Sequence, residues 1–105
     1  MIRQEILNDA VRRLVEKFHP EKIILFGSQA RGTADSRSDV DLLIISSIKE
    51  KRRKLMVEMN RVLTELEYAF DIIILTKEEF ERDRKIPGTI GRYASREGRI
   101  LYENT

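Results

Sequence analysis

Three aspartates and a Gly-Ser pair are the residues of this chain whose types and spacing could do chemistry. Asp39 and Asp41 stand two apart at the start of an apolar run, Ser-Asp-Val-Asp-Leu-Leu-Ile. In an extended strand, residues two apart point to the same face, so these carboxylates would project side by side. Two carboxylates that close repel each other unless a cation or a proton neutralises them. Asp71 sits in a later apolar run, Phe70-Asp71-Ile72-Ile73-Ile74-Leu75. A carboxylate there is costly if the strand is central and its charge is left unpaired. If that strand lies beside the one begun by Asp39 and Asp41, all three carboxylates can face one another. Such a set suits hard divalent cations, which prefer oxygen ligands. Two magnesium ions roughly 3.5–4 Å apart could then clamp the attacking and leaving oxygens of an in-line phosphoryl displacement.

Gly27 and Ser28 follow an apolar run and supply the complementary half, a turn suited to a phosphate. Glycine lets the backbone approach a ligand, and a helical turn after it offers amide groups at a positive dipole end. The Ser28 hydroxyl can donate to a phosphate oxygen. Arg31 lies one turn further on, within reach of a triphosphate or its leaving pyrophosphate; a salt bridge to Asp35 or Asp39 would explain it nearly as well. Phosphoryl transfer relies on positioning and electrostatics and needs no thiol or imidazole. The composition agrees. There are no cysteines and one histidine, His19, which excludes disulfides, thiolate sites and Ser-His or Cys-His catalysis that would need another imidazole.

The elements that must position these residues follow from apolar periodicity. Ile6, Leu7, Ala10, Val11, Leu14, Val15 and Phe18 recur at helical spacing, and His19-Pro20 ends that helix. Residues 22–26 read as a buried strand, 28–32 as a brief helical turn and 33–38 as a polar loop. A second strand is expected over 40–45 and a long helix over 49–67. Leu55, Met56, Met59, Val62, Leu63 and Leu66 form that helix's inner stripe. A third strand is expected over 70–75, followed by a helix opened by the Thr76-x-x-Glu79 capping box. Pro87-Gly88 breaks this helix, 90–96 resume as helix, Gly98 stops it, and 99–102 run extended. The order predicts a small α/β (α+β) domain over 1–105, with a mixed sheet of three or more strands and helices packed mainly on one face.

Charge and hydropathy narrow the setting. Lys and Arg total 20 against 18 Asp and Glu, a net charge of +2, too even to argue for nucleic-acid binding by bulk electrostatics. The cluster 49–54 reads as the solvated first turn of its helix, although cations are mildly unfavourable at a helix N-terminus. No apolar run approaches the roughly 20 residues of a membrane span. The N-terminus lacks the layout of a signal peptide, which points to a cytoplasmic protein.

The stretch Gly-Ser-Gln-Ala-Arg-Gly-Thr-Ala-Asp-Ser-Arg-Ser-Asp-Val-Asp-Leu-Leu-Ile, followed by the strand-borne Asp71, resembles the minimal nucleotidyltransferases of the DNA polymerase beta superfamily. Phe26, Gly27, Ser28, Asp39, Asp41 and Asp71 match the superfamily pattern in order and spacing. Ala30-Arg31-Gly32, Ser38 and the segment 97–103 resemble the subgroup that serves as antitoxin to HEPN ribonuclease toxins. One departure is Asp35-Ser36, where many relatives carry Arg-Pro. The resemblance implies that Asp39 and Asp41 bind two magnesium ions and that Asp71 holds the catalytic one and helps activate the acceptor hydroxyl. It also implies that Gly27 and Ser28 bind the phosphates of ATP. The implied reaction transfers AMP from ATP, with release of pyrophosphate, to a tyrosine hydroxyl of a HEPN-type toxin. A chain of this length leaves no room for an acceptor-binding domain, so the acceptor is expected from another chain, a partner or a second copy in a homodimer. The rival expectation is a binding module that neutralises a toxin stoichiometrically; a third is transfer to a small molecule or an RNA end.

Overall fold

The structure, a computed structural model, describes residues 1–35 and 38–104. Ser36, part of the departing Asp35-Ser36 pair, lies outside the described residues, as does Arg37. Helix α1 (Gln4–Phe18) buries Leu7, Ala10 and Leu14. It ends at His19, which takes a left-handed conformation at φ 49° and returns its amide to the Val15 carbonyl, and Pro20 is buried just beyond. Strand β1 (Lys22–Phe26), the single-turn helix α2 (Ser28–Arg31) and strand β2 (Val40–Ile45) follow. Then come α3 (Arg52–Leu63) with a 3₁₀ turn (Thr64–Leu66), β3 (Phe70–Leu75), α4 (Lys77–Asp83), α5 (Ile90–Glu97) and β4 (Arg99–Glu103).

The four strands form one mixed sheet in the order β3-β2-β1-β4. β2 and β3 run parallel, while β1 is antiparallel to both β2 and β4. Alternation sorts the side chains onto two faces. Ile23, Leu25, Val40, Leu42, Ile44, Ile72 and Ile74 pack under α1 and α3 against Leu7, Ala10, Leu14, Met59 and Leu63. Ile24, Phe26, Leu43 and Ile45 face the other way, against Phe80 of α4 and Ala94 of α5. The two long helices thus cover one face, and the two short ones part of the other.

The helix expected over 49–67 is shorter at both ends. Lys51 is extended, and helix begins only at Arg52. The three cations of its first turn, Arg52, Arg53 and Lys54, oppose the helix dipole. Arg52 escapes this by reaching sideways: its guanidinium donates to the Ile74 carbonyl at 2.6 Å and forks onto both Glu79 carboxylate oxygens at 2.8 Å. At the far end, the chain tightens into the 3₁₀ turn and leaves it through Glu67 at φ 58°. The segment expected to run out extended is β4, which makes the sheet four-stranded. Gly98 permits this by close approach, since an added Cβ would collide with the Ala94 carbonyl and the Ile24 side chain.

Candidate active site

Strand β1 delivers Phe26 to the α4/α5 face and then turns at Gly27. Gly27 has φ 74° and ψ −156°, a conformation essentially restricted to glycine. Any Cβ there would also run into the Asp41 carboxylate. The Gly-Ser turn therefore lies directly against one of the acids. Ser28 opens α2, whose Ala30 and Arg31 amides fold back on the Gly27 carbonyl at 3.1 Å. A helix start of this kind leaves its first amides without intrahelical carbonyls.

The sheet register brings the acids together. Asp41 is opposite Phe26 in the antiparallel pair and opposite Asp71 in the parallel pair. The Val40 amide extends that second ladder to the Ala69 carbonyl at 2.8 Å, fixing β2 against β3 just where the acids lie. Val40 is buried toward α1 and α3, so Asp39 and Asp41 on either side of it share the opposite face. Asp41 is half-buried, whereas Asp39 and Asp71 are exposed. Burial pushes the Asp41 carboxyl above its ordinary pKa; the neighbouring Asp71 and Asp39 charges push it further, and Arg31 pulls back. Among the described residues, no three acidic or imidazole side chains are gathered tightly enough to hold a metal ion as they stand. The acids line one face of two strands rather than closing into a cage. An all-carboxylate donor set with excess negative charge nevertheless suits a hard divalent cation.

Two residues that the motif did not single out support the site. Gln29, buried within α2, accepts the Ile2 amide at 2.9 Å and donates to the Ser38 carbonyl at 3.3 Å. It ties the helical turn after Gly27 to the backbone immediately before Asp39. Tyr93 of α5 accepts a hydrogen bond from the Arg31 guanidinium. Its ring meets Phe26 edge-on, with centroids 6.1 Å apart. Arg31 thus bonds to a tyrosine and stays within electrostatic range of Asp41. Neither partner was legible. A buried Gln looks like any other motif residue, and Tyr93 reads as part of a helix's apolar stripe, 62 residues from Arg31.

Tyr93 also borders a groove of about 620 Å³ between the 87–89 turn and α5, lined further by Ile90, Arg92, Arg96 and Glu97. Tyr93 thus lines this groove and also bonds Arg31. Among the described residues, no helix is long and apolar enough to cross a membrane.

Comparisons with known proteins agree with this geometry. Residues 5–96 match the model of a family described as "Nucleotidyltransferase domain". Two proteins of Methanocaldococcus jannaschii, both named "Putative protein adenylyltransferase", are similar in sequence. MJ1305 is 42% identical over 67 residues, 62% of this chain but only 44% of MJ1305, so the match spans less than half of that relative. MJ0604 is 31% identical over 104 residues, 97% of this chain and all of MJ0604. Among solved structures, a nucleotidyltransferase from Sulfolobus solfataricus, titled putative, superposes with a TM-score of 0.63 at 21% identity, covering 95% of this chain and 79% of that one. A toxin-antitoxin crystallised with AMP-PNP superposes at 0.61 and 16% identity, covering 93% and 74%. These two likenesses establish the fold. The family match over most of the chain, together with the full-length relative, shows that the chain belongs to the nucleotidyltransferase domain family and is an enzyme of the nucleotidyl-transfer class.

Proposed function

We propose that the chain is a magnesium-dependent protein adenylyltransferase that moves AMP from ATP onto a hydroxyl, a tyrosine, of a HEPN-type toxin, and so acts as its antitoxin. The observation that carries the reading is the contact between the Gly27 turn and Asp41, with Asp71 beside Asp41 in register. A turn able to receive phosphate, set directly on a row of repelling carboxylates, makes sense when cations sit between them. The names of MJ1305 and MJ0604 support a protein acceptor. The toxin-antitoxin among the structural neighbours supports the partner class.

In this reading, Asp39 and Asp41 would hold two magnesium ions, with Asp71 a further ligand to one of them. The ions would supply charge neutralisation and polarisation of the phosphate oxygens. Gly27 and Ser28 hold the terminal phosphates and Arg31 steadies them through charge-assisted hydrogen bonds. Asp71 takes the proton from the acceptor hydroxyl as its oxygen attacks the α-phosphorus. The bond from that phosphorus to the bridging oxygen breaks, and pyrophosphate leaves.

Intact-mass measurement of the co-expressed partner, with and without magnesium-ATP, tests the reading. The expected result is a partner heavier by one or more AMP units, lost with Asp39→Asn. A variant that still protects cells while the partner stays unmodified would sink catalysis and favour stoichiometric binding. Label from ATP appearing on a small molecule or an RNA end would sink the protein acceptor.

A further inference from the structure

We propose that Tyr93 is a positioning residue for nucleotide binding: it holds the Arg31 guanidinium in place for the triphosphate of the incoming nucleotide. The inference rests on the site reading given above, and adds to it a residue from a distant part of the chain. Arg31 is exposed and lies at the end of a single helical turn, so its long side chain has little packing of its own to choose a rotamer. Tyr93 supplies the missing constraint. Its ring is fixed edge-on against Phe26, the buried residue that ends β1 just before Gly27. Its hydroxyl is therefore a fixed acceptor, one side chain away from the turn and from the acid opposite Phe26.

The bond uses a single guanidinium nitrogen, Nη1. The guanidinium has five N–H donors in a rigid plane, so the remaining ones can still fork onto phosphate oxygens. A side chain pre-set in this way spares the nucleotide the entropy of ordering it. The hydroxyl contributes little to packing, because the Phe26 contact belongs to the ring. Arg31 serves the phosphates beyond the first, so the effect should depend on how many phosphates the ligand carries.

Calorimetric binding of ATP and of AMP, each at fixed magnesium, separates the alternatives. Four variants are compared with the unaltered chain: Tyr93→Phe, Arg31→Ala, the two combined, and Asp41→Asn. Tyr93→Phe is expected to weaken ATP binding about five-fold while leaving AMP nearly unchanged, with a melting temperature within about 2 °C of the parent. The double variant should bind ATP no more weakly than Arg31→Ala alone, because the hydroxyl acts through Arg31. Equal losses for ATP and AMP, unchanged or tighter ATP binding by Tyr93→Phe, or additive losses in the double variant would each overturn the proposal. If Asp41→Asn collapses magnesium-ATP binding while Tyr93→Phe does nothing, the positioning role alone fails. If the unaltered chain binds ATP no better than Asp41→Asn does, the site reading fails and the proposal with it.

Discussion

The two ends of β3 handle carboxylates in opposite ways. At its C-terminal end, Glu79 closes the capping box with Thr76, accepting the Thr76 amide at 2.8 Å while Thr76 Oγ1 accepts the Glu79 amide at 3.1 Å. Arg52 then grips the same carboxylate with both arms. The result is a carboxyl held down to about 2, first by Arg52 and then by the Thr76 amide. At the N-terminal end, Asp71 stands beside Asp41 with Asp39 nearby, and the Asp41 carboxyl is pushed up. One acid is fully answered by the fold; the other is burdened by its neighbours. Fold stability alone would favour the first arrangement at both ends. An acid row left under mutual repulsion supports the cation site proposed above.

The largest expected effect breaks the comparison at the level of chemistry. Asp41→Asn should lower AMP transfer to the partner by on the order of 10²–10³-fold, because it removes a charge-stabilising group at the proposed reaction centre. Glu79→Gln should leave transfer within about two-fold, since Glu79 lies at the opposite end of the strand. Initial rates with radiolabelled ATP measure both. Comparable losses from the two variants would mean that the two ends do not differ in function.

Gly27→Ala comes next. It forces a Cβ into the Asp41 carboxylate and into a backbone region where side chains are strained. A destabilisation of about 1–3 kcal/mol is expected, measured by urea unfolding. Pairing it with Asp41→Gly should recover part of that loss, because the smaller residue removes the obstacle but not the strained φ.

How much of this was readable in advance follows the same division. The acids, the Gly-Ser turn and the Thr76–Glu79 box were legible because each is a local pattern: alternation, glycine at a turn, a Thr-x-x-Glu spacing. The parallel register that sets Asp41 beside Asp71 was legible only as a condition, since sequence does not say which strands are neighbours. Arg52 looked like one charge in a solvated cluster because its partners, Ile74 and Glu79, lie 22 and 27 residues away. The same holds for Tyr93 and for β4, whose pairing with β1 joins the end of the described chain to its first strand. Long-range polar contacts leave no periodic trace.

Glu79→Gln should cost about 1–2 kcal/mol at neutral pH, after allowing for the solvent that reaches the pair. The sign with pH follows from the depressed pKa. Its ordinary value is 4.5 and its folded value about 2, so the stabilisation is complete above pH 4.5 and is lost as pH falls toward 2. Thermal melts of the parent should therefore fall more steeply than those of Glu79→Gln across that window. Parallel curves would mean that Arg52 does not engage the charge in solution.

The smallest effect is the sharpest test of the contrast, because it runs in the other direction. Asp41 has a raised carboxyl, so its ionised form is worse off folded than unfolded. The penalty is absent below the ordinary value of 3.8 and grows as pH rises from there through the folded value. At neutral pH and without divalent cations, Asp41→Asn should therefore stabilise the chain, by less than about 1 kcal/mol given partial exposure. Adding magnesium should erase or reverse the advantage, because an ion bound among the acids stabilises only the parent. Differential scanning fluorimetry at pH 7, with and without magnesium, reads both halves. A variant less stable than the parent in the absence of the ion would mean that Asp41, like Glu79, serves the fold.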